Sequence, residues 1–313
     1  MVNMQVDFCG IPFKNPVSTA SGTYGFAIEY GSFVPVEDLG SVTTKGLTLQ
    51  PRQGNPGIRV VETPAGMLNC IGLENPGVDA FIQDILPRMR DRLAASDTKI
   101  IANISGNTVD EYARMAEKLA ACPDVALLEV NISCPNVRAG GMAFGTSCSQ
   151  AAAVCQAVKG AAGQPVLMKL SPNVTDVVEI ALGLQEAGAD GLAMINTLMG
   201  MVIDVDKRRP VLGNVTGGLS GPAIRPVGVR MVWQVAQAVD IPILAMGGID
   251  TARDALEYIL AGARMVSVGA AAFADPLAPM QVVEGLRAYC EKYQVAAITD
   301  LVGAAWKEDT GGN

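Results

Sequence analysis

The chain has 313 residues, of which half are apolar and 17% are charged, a composition typical of a folded protein rather than a disordered one. The 23 lysines and arginines are outnumbered by 31 aspartates and glutamates, and the resulting net charge of −8 disfavours binding to a nucleic-acid backbone. Because there is no histidine, Ser-His-Asp and Cys-His catalysis and the histidine zinc motifs are excluded, which leaves Cys, Lys, Asp, Glu or Tyr for proton transfer.

The cysteines indicate free thiols. Their number is odd, seven, and no CxxC pair occurs, which argues against a disulfide framework or a structural zinc site. We therefore expect no bound metal and a cytoplasmic location. The sequence also has no run of 18 apolar residues and no basic, apolar leader at its start, so we expect no membrane span.

Eight short apolar segments alternate with longer helical patterns. Continuous apolar runs are typical of parallel strands covered on both faces, and eight strand–helix units predict a closed (β/α)8 TIM barrel, formed as one domain over residues 1–313. An open doubly wound sheet is the competing fold, but its usual glycine-rich nucleotide motifs are absent. The predicted strands are Pro16–Ala20, Ser41–Thr44, Lys99–Asn103, Ala126–Asn131, Val166–Leu170, Gly191–Asn196, Ile241–Met246 and Met265–Val268.

The helical patterns carry some local signals. Pro87 predicts a kink in the first helix, and Thr108 followed by Glu111 predicts a capping box. Two segments rich in proline and glycine, Leu47–Gly77 and Leu198–Pro222, directly follow strands, so we expect them as insertions over the C-terminal mouth of the barrel. The predicted helices are Val78–Leu93, Thr108–Ala121, Ser147–Ala161, Thr175–Ala187, Ile224–Val239, Thr251–Ala261 and Pro276–Tyr293.

Polar side chains end six of the predicted strands. Because buried polar groups need partners, a ring of them at the mouth predicts a polar ligand there. Two lysines in one pocket need an anion between them, and three asparagines fit amide recognition of a heterocycle. Solvated lysines and turn-forming asparagines remain the alternative interpretation. The six residues are Ser21, Lys45, Asn103, Asn131, Lys169 and Asn196.

Small residues end the last two strands, at Gly247-Gly248 and Gly269-Ala270. Without bulky side chains the backbone N–H groups can cradle a phosphate, and barrels often bind phosphate at these two loops. Plain tight turns would use the same residues.

Cys134 is the reactive candidate among the cysteines. It lies in a polar loop directly after the fourth strand, and a thiol can act as a base where electropositive neighbours lower its pKa. The other six cysteines are expected to be packing residues, and of these Cys70 lies near the predicted site.

Eight motifs, in this order along the chain, resemble those of dihydroorotate dehydrogenases. The resemblance extends from about Met4 to Tyr293 and implies an FMN-containing barrel that oxidises dihydroorotate to orotate in pyrimidine biosynthesis. The motifs are Ala20-Ser21-Gly22, Thr44-Lys45-Gly46, Asn69-Cys70-Ile71-Gly72-Leu73-Glu74-Asn75-Pro76-Gly77, Asn131-Ile132-Ser133-Cys134-Pro135-Asn136, Lys169-Leu170-Ser171-Pro172, Ile195-Asn196-Thr197, Gly217-Gly218-Leu219-Ser220-Gly221 and Met246-Gly247-Gly248-Ile249.

The resemblance also implies residue roles. Cys134 would remove the C5 proton of the substrate while a hydride passes from C6 to N5 of FMN, and Lys169 would stabilise the anionic reduced cofactor. The implied substrate-binding residues are Lys45, Asn69, Cys70, Ile71, Gly72, Leu73, Asn131, Asn196 and Thr197. The implied FMN-binding residues are Ser21, Lys45, Gly46, Asn103, Asn131, Lys169, Ile195, Gly221, Gly247, Gly248, Gly269 and Ala270.

Two positions depart from the family pattern. Threonine is common where this chain has Ala270, which removes one possible hydrogen bond to a phosphate but keeps the backbone N–H. A small residue such as alanine is usual where this chain has Cys70.

Two features resemble the soluble, NAD-linked class. Membrane-bound members have a serine base and an extra N-terminal segment, whereas this chain has Cys134 and a short N-terminus, and Asn136–Gly145 is similar to the NAD-linked type. That class implies a homodimer core in a heterotetramer with an electron-transfer subunit that carries FAD and a [2Fe–2S] cluster. Because this chain lacks a spaced set of four cysteines, the cluster would lie on the partner.

Other functions stay open at this point. A fumarate-linked dihydroorotate dehydrogenase or a dihydropyrimidine-type dehydrogenase would share the barrel and the flavin. A Schiff-base lyase with Lys169 as nucleophile is a more remote alternative from another class. A binding module without catalysis would leave Cys134 and the polar strand ends without a purpose.

Overall fold

The computed structural model describes residues 2–30, 33–133 and 144–306. Cys134, the expected base, and most of the segment that resembles the NAD-linked type lie outside these residues.

Parallel strands close into an eight-stranded barrel in which each strand pairs with the next along the chain and the last pairs with the first. The eight predicted strands agree with the observed ones to within two residues at each end, so the barrel prediction is confirmed. In chain order the barrel strands β1–β8 are Val17–Thr19, Ser41–Thr43, Lys99–Ile104, Val125–Asn131, Val166–Lys169, Gly191–Met194, Ile243–Met246 and Met265–Val268.

Helices occupy the segments between the strands. Their buried apolar faces pack on the barrel and form one continuous core with it. The α-helices are Val78–Ala80, Leu86–Leu93, Val109–Ala120, Cys148–Ala161, Val177–Glu186, Arg225–Ala236, Ala252–Leu260, Ala271–Ala274 and Ala278–Lys292. Shorter 3-10 turns are Val36–Asp38, Phe144–Thr146, Pro222–Ile224 and Ile298–Leu301. Across the described residues, no helix is long and apolar enough to span a bilayer.

Of the two local features predicted for the helices, the irregularity near Pro87 is present and the capping box at Thr108 is incomplete. A π-helical stretch, Phe81–Ile85, precedes Pro87, which is where the sequence predicts an irregularity. The predicted capping box is only half formed: Thr108 Oγ1 accepts from the Glu111 N–H at 3.1 Å, but the Glu111 carboxylate accepts from the Asn107 N–H at 2.6 Å. The Glu111 carboxylate therefore bonds the backbone N–H of Asn107 in place of the N–H of Thr108, which a full capping box would use.

The last predicted helix, Pro276–Tyr293, agrees with the observed helix Ala278–Lys292 to within two residues at each end, and a separate short helix precedes it. Ala271–Ala274 forms one turn, and the long helix begins only at Ala278. Asp275 lies between them and accepts the Leu277 N–H at 2.9 Å. This carboxylate favours a turn before the long helix, which begins two residues after the predicted start.

The two insertions pair with each other into an antiparallel sheet, which we call the cap sheet. Its order is Leu198–Gly200, Gly217–Ser220, Gly66–Asn69 and Val60–Thr63. A small ribbon, Ile203–Asp204 with Arg209–Pro210, extends from it. The sequence predicts these segments over the mouth but not their strands, which are short and glycine-rich.

An N-terminal hairpin lies at the opposite end of the barrel. Its strands, Val6–Phe8 and Ile11–Phe13, are joined by Cys9 and Gly10, which both have positive φ, as a tight hairpin turn requires. The Cys9 thiol donates to the carbonyl of Asp190, the residue before β6, at 3.3 Å. This contact places the hairpin against the amino ends of the strands.

Candidate active site

The carboxyl ends of the barrel strands and the cap sheet enclose a cavity of about 560 Å³, within the usual size range of ligand sites. Of the predicted site residues that the structure describes, all but Cys70 line this cavity. They are Ser21, Lys45, Gly46, Asn69, Ile71, Gly72, Leu73, Asn103, Asn131, Lys169, Ile195, Asn196, Thr197, Gly221, Gly247, Gly248, Gly269 and Ala270.

Further lining residues were not predicted as site residues from the sequence. Some are neighbours of predicted ones, several within the same motifs, and could have been found by adjacency. Val60 and Met67 of the cap sheet could not, since their position depends on the pairing of two distant insertions. The additional residues are Ala20, Gly22, Thr23, Val60, Met67, Ser220, Ile224, Met246 and Phe273.

Cys70 corrects one expectation. Its side chain is wholly buried and packs with Leu68 and Leu212 in a small separate core, away from the cavity. Successive side chains of an extended segment point to opposite faces, so Cys70 points away when its neighbour Asn69 faces the cavity. The structure thus gives the Cys70 side chain a packing position and no contact with the cavity.

Lys45 presents a cation to the cavity. Its backbone N–H donates to the Gly25 carbonyl at 2.8 Å, but its ammonium has no hydrogen-bond or ion-pair partner among the described residues. Burial lowers the pKa of Lys45, and the nearby Glu74 carboxylate only partly opposes this effect. An anionic ligand in the cavity would supply the missing counter-charge.

Lys169 is the second cation of the cavity, and it has a counter-charge. It is 4% exposed, and its Nζ lies 3.2 Å from Oε1 of the fully buried Glu129 and 3.3 Å from Ser21 Oγ. Asn103 donates its Nδ2 to the same carboxylate oxygen at 2.6 Å. Glu129 was not predicted as a site residue, although a carboxylate inside an apolar strand is a recognisable signal.

A cluster of amides joins the ends of β4 and β6. Asn196 Nδ2 donates to Ser133 Oγ at 2.6 Å and lies 3.3 Å from Asn131 Oδ1, which also accepts from Ser133 Oγ at 3.0 Å. The Asn131 carbonyl is fixed from behind by the Tyr112 hydroxyl at 2.7 Å. No hydrogen bond to another described residue uses Asn131 Nδ2, which leaves this donor for a ligand.

Glycines shape the far side of the cavity. Gly221, Gly247 and Gly248 have φ values of +96°, +124° and +71°, and a Cβ on Gly248 would lie 2.5 Å from the Gly221 carbonyl oxygen. Within the described part of the chain, the backbone N–H groups of Gly248, Gly269 and Ala270 donate to no acceptor. Unpaired N–H groups around a glycine-lined cradle suit a phosphate.

A tyrosine supports this cradle from below. The buried Tyr258 hydroxyl donates to the Gly247 carbonyl at 2.7 Å, and burial raises the Tyr258 pKa, which keeps the hydroxyl protonated as a donor. The glycine loop is thus held by a packed side chain rather than left to vary.

Comparison with known proteins yields one family. The family model described as dihydroorotate dehydrogenase matches residues 3–289. A Desulforudis audaxviator protein named dihydroorotate dehydrogenase B (NAD(+)), catalytic subunit, is 55% identical over 99% of this chain and 99% of its own length. Proteins of the same name from Geotalea uraniireducens and Trichlorobacter lovleyi are 53% and 54% identical, each over 96% of this chain and 98% of its own length.

Proposed function

The chain belongs to the dihydroorotate dehydrogenase family, and from that premise we propose that it is the catalytic subunit of an NAD-linked enzyme that oxidises (S)-dihydroorotate to orotate. The observation that carries this proposal is the half-buried Lys45 ammonium, which has no partner among the described residues and lines the same cavity as the amide cluster of Asn131 and Asn196. Orotate and its dihydro form carry a carboxylate and ring amides, which are the groups that a lysine ammonium and asparagines bind.

We propose FMN as the cofactor, and three features of the cavity support it. The buried Asn103 Oδ1 has no donor in the described structure, although it lines the cavity, and it would accept an N–H of a ligand. A Cβ on Gly46 would lie 2.8 Å from that oxygen, so glycine keeps the space beside it open. The cradle of Gly248, Gly269 and Ala270 would hold the phosphate. When bound, FMN supplies the two-electron acceptor that this oxidation needs.

The substrate is proposed to lie against the amide cluster. Asn131 Nδ2 and the Lys45 ammonium donate to its oxygens, while Asn196 and Thr197 form one wall, stiffened by the bond from the Thr197 N–H to Asn196 Oδ1 at 2.8 Å. Asn69, on the cap sheet, closes the other side together with the Ile71–Leu73 segment.

Cys134 is proposed as the base that removes the C5 proton of dihydroorotate. The chain has no histidine, and Cys134 follows directly after Ser133, which belongs to the amide cluster. A thiolate with a pKa near the working pH performs such a proton transfer.

Electrons are proposed to leave through a partner subunit with FAD and a [2Fe–2S] cluster, on which NAD+ is reduced. The phrase "catalytic subunit" in the relatives' names supports a separate partner. Exposed apolar side chains on and beside the cap sheet support protein contacts of a homodimer core in a heterotetramer; they are Ile58, Val60, Met199, Met201, Ile203, Val205 and Val215. We also propose a single domain and a cytosolic location, which the continuous core and the six described free thiols support.

Turnover with an artificial electron acceptor tests the proposal. The purified chain, reconstituted with FMN, is expected to convert dihydroorotate to orotate and to leave dihydrouracil unchanged. Preference for dihydrouracil would indicate a dihydropyrimidine-type dehydrogenase instead. Trapping by borohydride together with a carbonyl substrate would indicate a Schiff-base lyase.

The electron acceptor is tested separately. NAD+ reduction that requires the co-purified partner supports the NAD-linked class, whereas reduction of fumarate by the chain alone would indicate the fumarate-linked class.

A further inference from the structure

A buried carboxylate lies next to the cavity and is not used by the proposed reaction. Glu129 on β4 is wholly buried and does not line the cavity, whereas its two hydrogen-bond partners, Lys169 and Asn103, both do. Glu129 therefore acts on a bound ligand only through these two side chains and through its charge.

The carboxylate is costly at this position. A buried ion needs a partner of opposite charge and hydrogen bonds to all of its polar atoms, yet Glu129 Oε2 has no partner among the described residues. Its register neighbours are Leu167 on β5 and Asn103 on β3, and its Oε1 pairs with Asn103 and Lys169. The cost of burying this carboxylate is therefore offset by contacts with two side chains that line the cavity.

We propose that Glu129 is the counter-ion of Lys169, which holds Lys169 and Asn103 in position and lowers the midpoint potential of the FMN bound beside them. This inference rests on the proposed flavin function. Glu129 is a positioning residue in it, since it contacts neither substrate nor cofactor.

The direction of the effect follows from charge. Two-electron reduction adds negative charge to the bound flavin, and an uncompensated Lys169 ammonium would favour that reduction. Glu129 Oε1, 3.2 Å from the ammonium, opposes this attraction. At an effective dielectric constant of about 20, removal of one unit charge changes such an equilibrium about tenfold even at a distance of about 12 Å. Lys45 is the other charged side chain among the described residues of the cavity wall.

The test is Glu129→Gln in the FMN-loaded chain. Glutamine keeps the shape and the oxygen that accepts from Asn103 and Lys169, but it removes the charge. At pH 6, the ratio of reduced to oxidised flavin at a fixed solution potential is expected to rise at least tenfold. For a two-electron couple this equals an upward shift of about 30 mV. An unchanged or lower ratio would overturn the proposal.

Asp190→Asn is the matched control. Asp190 pairs with Lys159 at 2.6 Å and accepts the Val166 N–H at 2.7 Å, at the start of the strand that Lys169 ends. The Asp190→Asn variant removes the same charge from a lysine pair at the other end of the barrel. The ratio of reduced to oxidised flavin is expected to stay unchanged in this variant. An equal shift in both variants would overturn the proposal as a non-local charge effect.

A second pair of variants covers the case in which Glu129→Gln does not fold. Lys169→Met is compared with the double variant Lys169→Met/Glu129→Gln, in which both charges are gone. The double variant is expected to show at least a tenfold higher reduced-to-oxidised ratio, and equal ratios would overturn the proposal. Failure of the unaltered chain to bind FMN would instead refute the proposed function.

Discussion

Asn196 Nδ2 lies 2.6 Å from Oγ of Ser133, the residue that directly precedes Cys134 in the chain. This hydrogen bond joins the end of β6 to the end of β4, and Asn131 Oδ1 accepts from both side chains. The amides proposed to bind substrate are thus fixed relative to each other by the Ser133 hydroxyl, for which no role was predicted from the sequence.

Ser133→Ala tests this arrangement. Loss of the hydroxyl leaves Asn196 with a longer bond to Asn131, and we expect the affinity for orotate to fall about tenfold, which corresponds to about 1.4 kcal/mol. Binding is measured by equilibrium titration of the oxidised protein. Ser149→Ala, at an exposed hydroxyl, is the control and should bind as the unaltered protein does.

The cluster should also behave as a unit. Asn196→Ala is expected to weaken orotate binding, but the double variant with Ser133→Ala should lose less than the sum of the two single effects. Strict additivity would show that the two residues act independently.

Lys45→Met tests recognition of the substrate carboxylate. Removal of this half-buried cation is expected to raise the dissociation constant of orotate about 100-fold, or about 3 kcal/mol, and to affect uracil binding little. Lys99→Met, which loses only an ion pair with the exposed Asp97, is the control.

The pH dependence of orotate binding follows from the same lysine. Burial lowers the Lys45 pKa, so the free protein loses this positive charge at a lower pH than an ordinary lysine does. Affinity for orotate is therefore highest at pH values below the Lys45 pKa and declines as the pH rises through it. The decline should be absent in Lys45→Met; a decline of equal size in this variant would assign it to another group.

Gly248→Ala tests the proposed phosphate cradle. A Cβ at this position would lie 2.5 Å from the Gly221 carbonyl oxygen, on a backbone with φ of +71°. We expect the affinity for FMN, measured by fluorescence quenching, to fall at least tenfold. Gly188→Ala is the control because its φ is +90° and no atom lies within 4 Å of the added Cβ. Equal FMN affinity in the two variants would contradict the assignment.

Cys134→Ala tests the proposed base. The variant is expected to keep FMN but to lose about 10³-fold in the rate of flavin reduction by dihydroorotate, the range of general base catalysis. Cys134→Ser should retain part of the rate, and more of it at high pH, because a hydroxyl is a weaker acid than a thiol. Undiminished reduction in Cys134→Ala would remove Cys134 from the reaction.

The barrel and most of its site were predictable for one physical reason. Parallel strands covered on both faces are continuous apolar runs, and their carboxyl ends converge, so the polar residues that end them, such as Lys45 and Asn103, had to meet. Glu129 was missed because it lies inside a strand. Its role depends on the ion pair with Lys169 of another strand, which the sequence does not reveal.

The cap sheet and Cys70 show where local sequence was insufficient. Gly66–Asn69 and Gly217–Ser220 form strands only because two insertions, far apart in the chain, pair with each other. The direction of the Cys70 side chain depends on this pairing. Residues next to each other in one motif, Asn69 and Cys70, therefore lie on opposite sides of the sheet.

The most direct measurement is the absorbance spectrum of the FMN-loaded chain before and after addition of dihydroorotate without oxygen. We predict flavin bands that bleach within the mixing time of the experiment and orotate formed in equal amount. Flavin bands that stay oxidised would contradict dihydroorotate as the substrate, and a chain that cannot be loaded with FMN would contradict the flavin reaction itself.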